Sequence, residues 1–194
     1  MDKPNAPSFS GGPGASSNPF LSLARWIDGL NDRVGRTIAW LTAVMVVVTT
    51  ADVAMRYVFN TSFVFVQDLE WHFFGVIFLC AAGFTHLKDG HVRVDIFYAR
   101  LSPHKQAFIN FTFALLFLFP TCFLLIKTSL PFVEHSWAVL EGSPDPGGLP
   151  ARYLLKAAIP VGFFLLGLQG LSETIKNAHV LFQKKPATEP GKNP

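Results

Sequence analysis

The sequence predicts an all-α membrane protein with four transmembrane helices, preceded by an amphipathic interfacial helix, with both termini cytoplasmic. Three observations lead to this fold class: the length of the apolar segments, the low content of charged residues, and the distribution of Lys and Arg. Half of the 194 residues are hydrophobic, 15% are charged, and 20 are Phe. Soluble domains usually carry about 25% charged residues, so this composition is typical of a membrane protein.

Four apolar segments each have about the 17–25 residues that are needed to cross a hydrocarbon core as a helix. The segments are predicted at 37–55, 64–87, 107–126 and 153–175, within a membrane domain at 36–181. The rest of the chain is mostly short connections and polar tails, which is too little for a soluble catalytic domain. We therefore expect a function in or at a membrane. We also expect no cofactor.

The segment ahead of the first span divides into a tail and a helix. Residues 1–18 are rich in Pro, Gly, Ser and Asn, which predicts disorder. Asn18 and Pro19 are typical of an N-cap and a first helical residue. Over residues 19–35 an apolar stripe alternates with a polar face, which predicts an amphipathic helix on the membrane surface or, alternatively, against another protein. The stripe contains Leu23, Ile27, Leu30 and Val34, and the polar face contains Arg25, Asp28, Asp32 and Arg36.

The basic residues predict the orientation of the chain. If the amino terminus is cytoplasmic, all but four of the 16 Lys and Arg residues lie on the cytoplasmic side. They then occupy the N-terminal segment, the connection between the second and third spans, and the segment that ends in the C-terminal tail at 182–194. The positive-inside rule therefore predicts that both termini are cytoplasmic.

Ionisable residues near the ends of the first two spans are candidate subunit-interface or structural residues. Asp52 and Arg56 are four residues apart near the end of the first span, a spacing that places them on one helix face. Asp68, Glu70 and His72 lie at the start of the second span. Ionisable groups within spans are costly and usually have a partner. One hypothesis is an ion-pair cluster between the two helices, and the other is that these groups simply lie at headgroup level.

Two loops supply the remaining candidates. Arg93 and Asp95, after the second span, either pair with each other as interface residues or are solvated separately. The loop at 141–150 is rich in Gly and Pro, and it is a candidate periplasmic docking loop or a connector that positions the fourth helix. Its candidate docking residues are Ser143, Asp145 and Gly147.

The main functional alternative is a membrane anchor subunit for a redox or other peripheral enzyme. His72 and His86 fall on roughly the same face of one helix, but no other span has an interior histidine that would complete a haem site. No close set of His and Cys predicts a zinc site. A stand-alone small transporter would need a polar stripe along its spans, and the sequence has none. The net charge of +3 is too small and too scattered to predict nucleic-acid binding.

The order of several short motifs resembles the small permease subunit of tripartite ATP-independent periplasmic (TRAP) transporters. Two further motifs resemble the branch often labelled mannitol/chloroaromatic. The resemblance covers about residues 23–181, and individually the motifs are short. The general motifs are at 56–60 (RYVFN), 67–72 (QDLEWH) and 90–95 (GHVRVD), and those of the branch are at 142–150 (GSPDPGGLP) and 156–160 (KAAIP).

This resemblance implies a non-enzymatic role in transport across the bacterial inner membrane. In such systems a periplasmic substrate-binding protein captures an organic acid, and a large permease subunit moves it by symport with sodium. The small subunit is similar to a scaffold for the large one. The partners implied are therefore the large TRAP permease subunit, the periplasmic binding protein and the lipid bilayer. Polar groups confined to the ends of the spans agree with this role, because they leave packing faces rather than a midplane binding site.

Overall fold

The computed structural model describes residues 18–90, 98 and 100–182, and within these ranges all regular structure is helical. Both predicted polar tails therefore lie outside the described residues, apart from Asn18 and Phe182 at their edges. So do Arg93 and Asp95, and their predicted pairing remains a prediction.

Four long helices are each long and apolar enough to cross a membrane, which confirms the four predicted spans. Helix α2 has the predicted limits, whereas the other three extend well beyond their apolar segments. Hydropathy marks only the apolar part of a helix, but the helix itself continues until a turn or a Pro ends it. The helices are α1 (Pro19–Val58), α2 (Val64–Leu87), α3 (Pro103–Ala138) and α4 (Arg152–Phe182).

Helix α1 joins the predicted interfacial helix and the first span into one helix of 40 residues. No Pro interrupts the sequence between them, and Gly35 is accommodated because the ring of Phe84 occupies the space that a side chain would need. The surface location of the N-terminal half remains a prediction.

Helix α4 packs against each of the other three helices, most extensively against α2. A β-carbon added at Gly162 would lie 2.6 Å from the backbone oxygen of Leu79, and one added at Gly83 would lie 3.0 Å from that of Leu165. Small residues allow two membrane helices to approach this closely.

Helix α3 contains a π-helical turn at Ala114–Leu118, just before Pro120. Proline removes one backbone donor from a helix, and a wider turn is one way for the helix to absorb that loss. The turn places Leu118 against α4, where a β-carbon on Gly170 would lie 2.3 Å from a terminal carbon of Leu118.

Many of the polar contacts between helices and loops lie at the two ends of the bundle. At one end α1 begins and α4 ends, with Asp28 of α1 bonded to Lys176 of α4. We call this the terminal end. The opposite end carries the connections at 59–63 and 139–151, and we call it the loop end.

Candidate functional site

A chain of two buried amides and a half-buried carboxylate joins α1 to α4 at the terminal end. Asn31 Nδ2 donates to Gln169 Oε1 at 3.0 Å, and Gln169 Nε2 donates to Asp28 Oδ1 at 3.0 Å. Asn31 and Gln169 are completely buried. Such groups are costly to bury unless they are bonded, so the contact specifies how the two helices align.

Further donors complete the surroundings of Asp28. Ser172 Oγ lies 2.6 Å from Asp28 Oδ1, and Lys176 Nζ lies 2.8 Å from Asp28 Oδ2. Both carboxylate oxygens of Asp28 therefore accept hydrogen bonds from α4. We call Asp28, Asn31, Gln169, Ser172 and Lys176 the terminal network.

A second carboxylate on α1 connects this region to α2. Asp32 accepts from Arg36 Nε at 2.7 Å, and its other oxygen lies 2.8 Å from Lys88 Nζ. Lys88 directly follows the last residue of α2. The carboxylates of Asp28 and Asp32 thus bind the terminal ends of α4 and α2 to the same helix.

The sequence did not identify the terminal network. Asp28 was assigned to the polar face of an amphipathic helix, but its partners lie more than 140 positions away in the chain. The buried face of this segment is also rotated from the predicted stripe. It contains Leu21, Ala24, Ile27 and Asn31, while Leu23 of the stripe is 45% exposed. The one sequence feature that pointed to a buried polar contact was Gln169, a polar residue within an apolar span.

At the loop end, Asp68 fixes the connection between α3 and α4. The backbone N–H of Leu149 donates to Asp68 Oδ2 at 3.0 Å, and that of Ser143 donates to Leu149 O at 2.8 Å. A β-carbon on Gly148 would lie 2.3 Å from the same Asp68 oxygen, so only glycine leaves room for the contact.

The candidate docking residues divide between the two sides of this loop. Ser143 lies on the inner side, close to Gly148, and its hydroxyl accepts from the backbone N–H of Asp145 at 3.3 Å. Asp145 and Gly147 are exposed at the tip, where Gly147 has a φ of 84°. The loop therefore presents a fixed tip whose shape depends on the contact with Asp68.

A second contact holds the base of the same loop. Lys156 Nζ of α4 binds the carboxylate of Glu141 and lies 4.1 Å from the centre of the Phe132 ring. The hydrogen bond from Lys156 holds the pKa of Glu141 below its ordinary value of 4.5. Glu141 is therefore ionised at neutral pH.

Of the hypothetical ion-pair cluster between the first two spans, the described residues show one pair, which lies within α1. Arg56 Nη2 lies 2.6 Å from Asp52 Oδ2, as their spacing predicted, and Asp52 is only 4% exposed. The other oxygen of Asp52 is buried, as is Oε1 of Glu70, and neither has a hydrogen-bond partner within the described part of the chain. Asp52 and Glu70 lie six residues from the ends of α1 and α2 that the 59–63 connection joins. They are therefore at the same level of this helical hairpin.

His72 contacts the backbone of its own helix. Its Nδ1 lies 2.6 Å from the carbonyl oxygen of Asp68, which can only accept, so Nδ1 carries the proton. Nε2 is buried without a partner in the described residues. Glu70 and Asp52 thus offer buried acceptors, and His72 a buried ring nitrogen, that groups of another molecule could bind.

These features define a multi-pass helical membrane protein whose polar side chains connect helices and loops at the two ends of the bundle. Across the described residues, no group of three or more His, Cys, Asp or Glu side chains could hold a metal ion.

The family is shown by comparison with known proteins. The family model described as tripartite ATP-independent periplasmic transporters, DctQ component, matches residues 45–179. This is more than half of the chain, and the chain belongs to that family. It is a family of transporter components and not of enzymes, so with the four apolar helices it indicates a multi-pass inner-membrane protein that is the small membrane subunit of a TRAP transporter. A search of curated proteins found no match.

Proposed function

We propose that this small subunit scaffolds a large permease subunit for the sodium-driven uptake of an organic acid delivered by a periplasmic binding protein. Membership of the DctQ family supports a transporter subunit over the alternative of an anchor for a redox enzyme. The scaffold role rests on one observation: the terminal network and the Asp68 contact use polar side chains to fix helices and a loop relative to each other.

The face that meets the large subunit includes the end of the α1–α2 hairpin. Asp52 and Glu70 each keep one buried oxygen without a donor from the described chain. A buried acceptor left unpaired costs about 1–3 kcal/mol, so a donor from a partner would stabilise an assembled complex. Arg or Lys on the large subunit is the matching chemistry.

The test is Glu70→Gln in a tagged chain that is co-expressed with its large subunit. Loss of a charge from a dry interface costs on the order of 3–5 kcal/mol, against on the order of 0–1 kcal/mol at a wet boundary. We expect lower recovery of the two-subunit complex, with sodium-driven uptake falling in proportion. Glu134→Gln is the matched control, because Glu134 is an exposed residue on α3.

Two results would contradict this proposal. If Glu70→Gln left complex recovery intact but changed the sodium dependence of uptake, Glu70 would act at an ion site rather than at an interface. If Glu134→Gln lowered recovery equally, the effect would follow from any lost charge.

We also propose that the loop at 141–150 faces the periplasm, with Asp145 and Gly147 at its exposed tip available to the binding protein. The charge distribution supports this orientation, with both termini cytoplasmic. A cysteine placed at Gly147 should react with an impermeant reagent from the periplasmic side, and one placed at Lys184 should not. The opposite labelling pattern would show that the orientation is reversed.

The sequence of this loop also supports a place in the mannitol/chloroaromatic branch.

A further inference from the structure

One exposed face of α1 carries an arginine between two tryptophans. Trp26, Arg33 and Trp40 are spaced by seven residues, which is about two helical turns or 10.5 Å per step. All three are exposed, with Trp26 at 63% and Trp40 at 76%. This face points away from the helix surface that packs on α4, and none of the described residues covers it.

Arg33 differs from the basic residues around it in having no side-chain partner among the described residues. Arg36 and Lys88 both bind Asp32, and Lys176 binds Asp28. Within the described part of the chain, no hydrogen bond or ion pair engages the guanidinium of Arg33. Among the described residues its charge is therefore not balanced by a carboxylate, whereas those of Arg36, Lys88 and Lys176 are.

The position of Arg33 along the helix indicates what surrounds it. Its neighbour Asp32 binds Lys88, the residue at which the second span ends, so Arg33 lies near headgroup level. Trp26 lies two turns further out than Arg33 and Trp40 two turns deeper, so the two indoles bracket the headgroup region along the helix axis. Trp is enriched at the membrane–water interface because its ring is apolar and its N–H is polar.

We propose that Arg33, flanked by Trp26 and Trp40, binds the headgroup of an anionic phospholipid. A guanidinium matches the geometry and charge of a phosphate, and the N–H of Trp40, which lies on the bilayer side of Arg33, can donate to the glycerol or ester oxygens of the same lipid. The lipid site requires only that α1 crosses the bilayer at this level. The proposal therefore does not depend on the scaffold role.

The test measures lipid contact through the two tryptophans of this face. In the full chain, Trp71→Phe and Trp137→Phe leave Trp26 and Trp40 as the emitters. The protein is reconstituted in phosphatidylcholine vesicles with a small fraction of either brominated phosphatidylglycerol or brominated phosphatidylcholine, and bromine quenching of the emission is compared. A basic residue near a membrane surface contributes about 1 kcal/mol toward anionic lipid, which corresponds to a preference of about fivefold.

Arg33→Gln is expected to remove this preference. Arg36→Gln is the matched control, because Arg36 is equally accessible but already bound to Asp32, and it should retain most of the preference. Equal quenching by both lipids in the protein with Arg33 intact would overturn the proposal, as would an equal loss in both variants. A third result would also overturn it: if Arg33→Gln left the lipid preference unchanged but lowered recovery of the two-subunit complex, Arg33 would bind a carboxylate of a protein partner.

Discussion

The hydrogen bond between Asn31 and Gln169 should contribute to stability in a way that depends on both partners. Gln169→Leu removes the acceptor of Asn31 Nδ2 and one of the donors to Asp28. Leaving buried polar groups unpaired costs about 1–3 kcal/mol, so this variant should lower the free energy of unfolding by about that amount. Asn31→Leu should cost less, because the Oδ1 atom that it removes is already buried without a partner.

The double variant distinguishes a coupled network from two independent contacts. With both amides replaced, neither leaves the other unpaired, so the combined loss should be smaller than the two single losses added together. We expect a coupling energy of about 1 kcal/mol, measured by equilibrium unfolding of the four proteins in mixed micelles. Thr50→Val is the control, because this exposed hydroxyl bonds only to the backbone of its own helix. Strictly additive losses, or single losses no larger than that of the control, would refute the network as a determinant of helix alignment.

Two further variants test the helix contact and the loop contact. Gly162→Ala should lower the free energy of unfolding by about 1–3 kcal/mol in the same assay, because its β-carbon meets the Leu79 oxygen at 2.6 Å. Gly29→Ala should not destabilise the protein, because the space around Gly29 is open. Equal effects at the two sites would exclude a steric clash between α4 and α2 as the cause. For Glu141, a native pKa below 4.5 means that its stabilising contact with Lys156 is complete above that pH and disappears as the pH falls through the native value. Unfolding temperatures between pH 7 and pH 3 should therefore fall further for the unmodified chain than for Glu141→Gln, and parallel curves would contradict this assignment.

The spans could be predicted because each is marked by its own continuous apolar sequence. Helix α2 begins and ends where the sequence indicated, since charged or turn-forming residues lie directly outside it. The start of α1 at Pro19 is the one that the local pattern predicted, but its continuity with the first span was not predicted. Helix α4 extends beyond its predicted span because its terminal end is polar and bonds to α1, a contact that hydropathy does not detect.

The same distinction applies to the polar sites. The pairing of Asp52 with Arg56 follows from a spacing of four on one helix and was predicted. The partner of Asp68 is a backbone N–H 81 positions later, and that of Asn31 is a side chain 138 positions later. Such contacts depend on how the helices pack, which composition and periodicity do not determine.

The separation of Asn31 from Gln169 also has a consequence for biosynthesis. Their 138 positions correspond to roughly 7–28 s at the usual rates of translation. During that interval α1 is already made, but the groups that will bind Asp28 and Asn31 have not yet been synthesised. Water, lipid headgroups or the insertion machinery must solvate these side chains until α4 emerges. The last span to be synthesised therefore supplies the partners that fix the position of the first. A chain truncated after α3 would keep a polar surface at the terminal end that α4 covers in the longer chain.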